Sequence, residues 1–286
     1  MAAAPWRMFK NSGGEILIDV EGEITINGTS ARPFPCEVTH AAVCDSGLVA
    51  TWVDHELRMA RMALLPADKK PVNGISRSDL RISSSNVNVA GSIWSHSLDA
   101  EPIALASNGE MIVFALYTRG IYCINNNSEE IWRQPLQREG SSNLPGTNTI
   151  SKISIDDEHV IVWTRGGINR TLSLETGEMI SETQLNVECD IENVFSFQNR
   201  SLITSRDGWA WDLLDGEIQI ARKLRGTIQD AVYHNGEWRI ISWREDLIFS
   251  QPDVFTRAEL GVQLIIEDNQ CLVLDNQGEI TRHMGE

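Results

Sequence analysis

Six histidines, His40, His55, His96, His159, His234 and His283, are the first places to look for chemistry, and no two lie closer than 15 residues. That spacing supplies neither a His-Glu-x-x-His helix site nor a His-x-His strand site, so structural or exposed roles are expected for all six. The densest acidic run, Asp156-Asp157-Glu158-His159, lacks the alternating oxygen ligands and the glycine of a calcium loop. It reads as a solvated turn. Asp54, His55 and Glu56 carry acid–base groups, but successive residues on a strand point to opposite faces and cannot converge on one substrate. There is no G-x-S-x-G elbow, no G-x-x-x-x-G-K loop and no G-x-G-x-x-G between a strand and a helix. Gly166-Gly167 is a tight turn with no helix behind it to bind an anion. No catalytic or metal-binding residue is assigned, and no cofactor is expected.

Two segments carry groups suited to binding. The stretch from Pro66 to Ala90 holds Lys69, Lys70, Arg77 and Arg81 against Asp68 and Asp79, a cationic island in a chain whose net charge is -16. Loops of this length in compact chains are functional or disordered, so the segment is either a partner-binding loop or a mobile insertion. In Arg206-Asp207-Gly208-Trp209-Ala210-Trp211-Asp212, the period of two puts Trp209 and Trp211 on one strand face, beside Arg206. Such a pair could anchor a peptide or sugar, or stack between neighbouring sheets. Trp94, Trp132, Trp163, Trp238 and Trp243 fall in predicted strands and are expected in the core.

The elements that must position these groups are strands. Short apolar–polar alternations, separated by turns rich in Gly, Asn and Asp, run through the chain. The phrase Ile16–Asn27 (ILIDVEGEITIN) nearly returns at Leu272–His283 (LVLDNQGEITRH), and related hairpins begin at Leu172 and Trp211. Looser copies begin at Asn88, Tyr122 and Ile248, which makes seven units. Two more apolar runs usually precede each hairpin, giving four strands per unit. Turn-to-turn spacings are 39 residues from Gly177 to Gly216 and 47 from Glu130 to Gly177. Periods of about 40 to 50 residues with four strands each are those of propeller blades. His55–Leu65 has the nearest approach to a helical rhythm, but its context favours a strand.

Through those hairpins the chain resembles the β-propeller superfamily, in particular quinoprotein-like (PQQ-type) and WD40-like repeats. The likeness rests on LETGEMI, LLDGEIQ, NSEEIW and DNQGEIT, and it spans nearly the whole chain. It implies an all-β fold in one domain: a propeller of seven four-stranded antiparallel blades, its ring closed by the two termini. Six blades is the alternative, because only 26 residues separate Pro252 from Gly278. In the repeated phrase the Gly is expected to open the turn, the Glu to face water and the Ile to bury between blades. The departures are informative as well. The Gly-His of WD40 blades is absent, Trp211-Asp212 is the single Trp-Asp, and no quinone-binding assembly is readable.

The 286 residues, 42% of them hydrophobic and 22% charged, suffice for one large core without staples. The charge of -16 opposes general binding to nucleic acid or anionic membrane. No apolar run approaches the ~18 residues of a membrane helix, and polar residues interrupt the N-terminus before a signal-type apolar region forms. Five scattered cysteines without a CxxC pair are expected as buried free thiols in a reducing, cytoplasmic setting. These features point to a non-catalytic scaffold with a protein or peptide partner. Two alternatives stand beside it: a small-molecule or carbohydrate site in the central channel, and a quinoprotein-like assembly factor.

Overall fold

The alternating runs become strands throughout the computed structural model, which describes residues 3–11, 14–83, 88–135, 148–156, 158–187 and 190–285. Blade 1 is β1 (Pro5–Asn11), β2 (Gly14–Asp19), β3 (Ile24–Ile26) and β4 (Thr29–Ala31). Blade 2 is β5 (Val38–Cys44), β6 (Gly47–Asp54), β7 (Met59–Pro66) and β8 (Trp94–Leu98), with helix α1 (Arg77–Ile82) inserted before β8. Blade 3 is β9 (Pro102–Ser107), β10 (Met111–Leu116), β11 (Gly120–Asn125) and β12 (Glu130–Pro135). Blade 4 is β13 (Ile150–Ile155), β14 (His159–Thr164), β15 (Ile168–Ser173) and β16 (Met179–Gln184). Blade 5 is β17 (Ile191–Phe197), β18 (Arg200–Ser205), β19 (Trp209–Leu214) and β20 (Glu217–Lys223). Blade 6 is β21 (Ile228–His234), β22 (Glu237–Ser242), β23 (Glu245–Ile248) and β24 (Val254–Thr256). Blade 7 is β25 (Gly261–Glu267), β26 (Gln270–Asp275) and β27 (Ile280–Arg282). Each blade is an antiparallel meander in chain order, and together they make a seven-bladed propeller. Six sheets have four strands, and blade 7 has three among the described residues.

First strands lie side by side around the inside, β5 against β9, β9 against β13, and so on through β17, β21 and β25. Apolar residues of adjoining blades fill the seams between sheets: Trp52 and Phe34 between blades 1 and 2, and Val113, Ile153 and Val162 between blades 3 and 4. A recurring stitch joins blades as well. Trp94 Nε1, on the fourth strand of blade 2, donates to Asn126 O in the outer turn of blade 3 at 2.9 Å. Trp132, on the fourth strand of blade 3, donates to Leu174 O of blade 4 at 2.7 Å. Its ring also packs on Gly177, where a Cβ would stand 2.6 Å from it. The optional Trp of the repeated phrase therefore covers the next blade's turn, and the turn's Gly makes room for it.

The two ends meet through side chains. Met8 N donates to Gln263 Oε1 at 2.7 Å, Gln263 Nε2 donates to Met8 O at 2.9 Å, and Lys10 pairs with Glu267 at 2.6 Å. Among the described residues, no strand from one end joins the sheet of the other. The shared opening and closing phrase lies in the hairpin between second and third strands, whereas the internal copies lie between third and fourth. One device serves both hairpins: a side-chain oxygen accepts two backbone N–H groups ahead of it. Asp19 Oδ1 takes Glu21 N and Glu23 N at 2.9 and 2.8 Å, and Asn125 Oδ1 takes Asn127 N and Glu129 N at 2.9 and 3.0 Å. The short interval from Pro252 to Gly278 follows, since Gly278 sits one hairpin earlier in its blade. The burial expected for the phrase's Ile holds for Ile24, which is fully buried, but fails for Ile131, Ile218 and Ile280, which are 43–44% exposed. Those three stand on the outermost described strands of their sheets.

Two further expectations change. The Pro66–Ala90 insertion is not wholly loop, because Ser76 caps α1, its Oγ accepting from Asp79 N at 3.2 Å. Residues 84–87 lie outside the described set. Trp243 is not a strand residue: it stands in the turn after β22, 67% exposed. Cys44 and Cys123 are buried free thiols, Cys36 is a half-buried one and Cys271 is buried; Cys189 lies outside the described residues. Burial pushes the Cys36 and Cys123 thiols up to about 11. Among the described residues no helix is long and apolar enough to cross a membrane.

Candidate functional site

In an antiparallel meander, the turns joining second to third strands and the linkers between blades emerge on one face. The remaining turns emerge on the other. On this linker face the second strand of six blades ends in a small polar or acidic side chain, and five of these cap the turn. Asp19, Asp54, Thr164, Ser205 and Asp275 each accept a backbone N–H ahead of them, for example Glu23 N to Asp19 Oδ1 at 2.8 Å and Ile168 N to Thr164 Oγ1 at 3.0 Å. These caps are buried. The residue after the second strand starts each turn, and Val20, His55, Tyr117, Arg165, Arg206, Trp243 and Asn276 hold this position in blades 1 to 7; the first six are exposed, while Asn276 is half-buried, its Oδ1 accepting Leu260 N at 3.1 Å.

This crown is rich in the side chains that anchor protein interfaces. Val20 is 48%, Tyr117 52% and Trp243 67% exposed, and His55, Arg165 and Arg206 are exposed too. Trp243 has φ of 29°, a left-handed value that is strained for a bulky residue. Its Cβ lies 3.8 Å from where a Cβ on Gly226 would stand, in the linker entering blade 6. Arg225 in that linker is 84% exposed and pairs with Glu245 at 3.4 Å. Trp243 was missed from sequence because the tract around it alternates well. Counting six residues from Glu237, the length of β14 and β18, ends the strand at Ser242 and aligns Trp243 with Arg165 and Arg206.

Trp209 and Trp211 stack with centroids 6.1 Å apart and planes at 17°. Trp211 is buried with Trp163, Ile191 and Val194 between blades 4 and 5, while half-buried Trp209 carries Lys223 5.9 Å from its ring. Arg206 belongs to the crown. Arg77 clasps Asp54 from Nε at 3.0 Å and from Nη2 at 3.3 Å, and Arg81 pairs with Glu56. The Arg77 guanidinium holds the Asp54 carboxyl below the usual carboxylate range. The insertion thus folds back over the seam of blades 1 and 2, with Gly74 N donating to Arg32 O at 2.9 Å and Leu80 buried. Lys69 and Lys70 stay exposed at its start. Asp54 is a turn cap and helix anchor, and His55 and Glu56 lie exposed in the turn after it. In the acidic run, Asp156 Oδ1 accepts from His159 N at 2.8 Å, the bond of a turn; Asp157 lies outside the described residues. No group of three or more His, Cys, Asp or Glu poised to hold a metal occurs among the described residues.

No protein-family model matches the chain, and no curated protein matches its sequence. Solved structures do match in fold. The propeller domain of Cps50 (Swd1) from Myceliophteria thermophila aligns with a TM-score of 0.65 at 9% identity, covering 97% of this chain and 95% of that one. The WD40 propeller domain of Doa1 aligns at 0.64 with 8% identity, covering 98% and 92%. BamB from Moraxella catarrhalis aligns at 0.61 with 10% identity, covering 96% and 94%. At these identities the likeness is one of architecture, shared by WD40-type and quinoprotein-like propellers alike.

Proposed function

We propose that the chain is a non-catalytic scaffold that binds a protein or peptide partner on its linker face. The observation that carries this reading is the crown: one side chain per blade, at equivalent positions, with Tyr117 and Trp243 among the most exposed large side chains of the molecule. A monomer gains nothing from leaving an indole in water on a strained backbone, whereas a buried indole is a frequent interface anchor. The propeller supplies rigidity, so little ordering entropy opposes docking. Its architectural neighbours, from a WD40 domain to BamB, are compatible with such a role.

The test is capture and cross-linking from the native cell with wild-type protein, with Y117A/W243A, and with I180S as an outer-edge control. The proposal expects a defined partner with wild type and I180S and at least a tenfold loss with the double variant, since two anchors of about 1–2 kcal/mol each are removed. An unchanged partner set in Y117A/W243A, or a protein recovered only as an isolated monomer, would refute it.

A further inference from the structure

The first strand of every blade carries an irregularity near its start, where one residue is skipped in the pairing with the second strand. The residue after each skip holds the same level in all seven blades. These residues are Arg7, His40, Ala104, Lys152, Asn193, Asp230 and Gln263. Six are polar, although the next residue in each strand is apolar and in most blades buried, as Met8, Ile153, Val194, Ala231 and Leu264 are. A bulge re-aims a side chain that would otherwise follow the pleat. Here seven of them put one ring of side chains at the channel end nearest the linker face.

The ring is bonded along part of its circumference. Gln263 grips both polar groups of Met8, and Asp230 Oδ2 accepts Leu264 N at 2.8 Å and faces Arg7 Nη1 at 3.5 Å. His40 Nδ1 meets Thr51 Oγ1 at 3.3 Å, and burial together with the field of Lys152 lowers its pKa to about 4, so the imidazole is neutral. Lys152 is different. It makes no salt bridge or hydrogen bond among the described residues; desolvation and, after it, the field of Arg7 lower its pKa, and Asp230 opposes them. Asp230 is committed to Arg7 and Leu264 N, which leaves one cation in excess inside a chain of net charge -16. Lys152 keeps access to solvent, so a dissolved anion can reach it.

We infer that the channel ring binds a small oxyanion, a carboxylate or phosphate group, between Lys152 and Arg7, with His40 and Asn193 as neutral hydrogen-bonding groups. The anion fills the place of the counter-ion that Lys152 lacks, and Ala104 leaves one side of the ring open to it. This inference does not depend on the partner-binding reading: it concerns the channel, and its variants leave the crown intact.

The test is calorimetric titration of the full chain with inorganic phosphate and with acetate at constant ionic strength, alongside thermal unfolding in each anion. Saturable binding with a Kd of about 1 mM or tighter is expected for at least one of them. Binding by phosphate alone assigns a phosphoryl ligand, and binding by acetate alone a carboxylate. K152Q should weaken it at least tenfold, K152R should retain it, and K69A/K70A should leave it unchanged. Should K152Q fold poorly, R7Q supplies the same comparison from a half-buried position. Absence of saturation with both anions, or equal affinity in a folded K152Q or R7Q, would overturn the inference.

Discussion

At the residue scale, two side chains sit in places that cost stability. Trp243 adopts a backbone conformation suited to glycine while exposing its ring. W243G should therefore raise the stability of the isolated protein by about 1 kcal/mol while weakening partner capture, a pair of opposite signs read by denaturant unfolding and pull-down. His40 is neutral in the fold, its pKa about 4 against 6.5 for a free histidine. Its contribution is fully present above pH 6.5 and is lost as pH falls from 6.5 toward 4, because the unfolded chain takes up the proton first. The loss amounts to about 2–3 kcal/mol. Unfolding curves across that window should be flatter for H40Q than for wild type; parallel curves would count against a neutral His40. Neither residue's role was legible directly. Trp243 hid in an alternating tract, and the bulge before His40 is a property of strand twist with no residue signature of its own.

At the element scale, stitches between neighbouring elements hold the ring together. Arg257, in the linker between blades 6 and 7, pairs with Asp246 at 2.6 Å, with both side chains buried. Asp246 Oδ2 also accepts Met284 N at 2.8 Å, which fastens the C-terminal segment to blade 6. Removing one partner strands the other charge, so R257M should cost about 3–5 kcal/mol by denaturant unfolding, with R257M/D246L recovering most of it. Helix α1 hangs from Asp54 and Glu56 through Arg77 and Arg81. D54N should speed hydrogen exchange across residues 73–83 while leaving the blades unchanged, and uniform exchange in the two proteins would contradict the anchoring role. The helix itself was concealed in sequence by its six-residue length, too short to show a period, although Ser76 and Asp79 give the capping signal. Strand existence was legible nearly everywhere, because alternation on a pleated surface is what burial between blades demands. Strand rank within a blade was not. The same Asx-turn chemistry closes both kinds of hairpin, so Asp19 and Asn125 look alike in sequence while capping turns on opposite faces.

For the whole molecule, seven blades follow from seven hairpin phrases, and the two ends share theirs because blades 1 and 7 use it one hairpin earlier. The ends touch through Met8, Gln263, Lys10 and Glu267, without exchanging a strand. Blade repetition also explains why candidate sites escape motif searches. Each blade contributes a single residue to the crown and a single residue to the channel ring, so neighbours in space stand 33 to 64 residues apart in sequence. Aligning blades on the end of the second strand recovers the crown from sequence alone; aligning them on the first-strand bulge needs the pairing register. The measurement that bears most directly on the scaffold reading is photo-cross-linking in the native cell, with the probe placed in turn at Tyr117, Arg206 and Trp243 on the crown and at Ile180 and Ile218 on the outer strands. A partner covalently captured from the crown positions and absent from the outer ones is the predicted result; capture from the outer strands with a silent crown would contradict it.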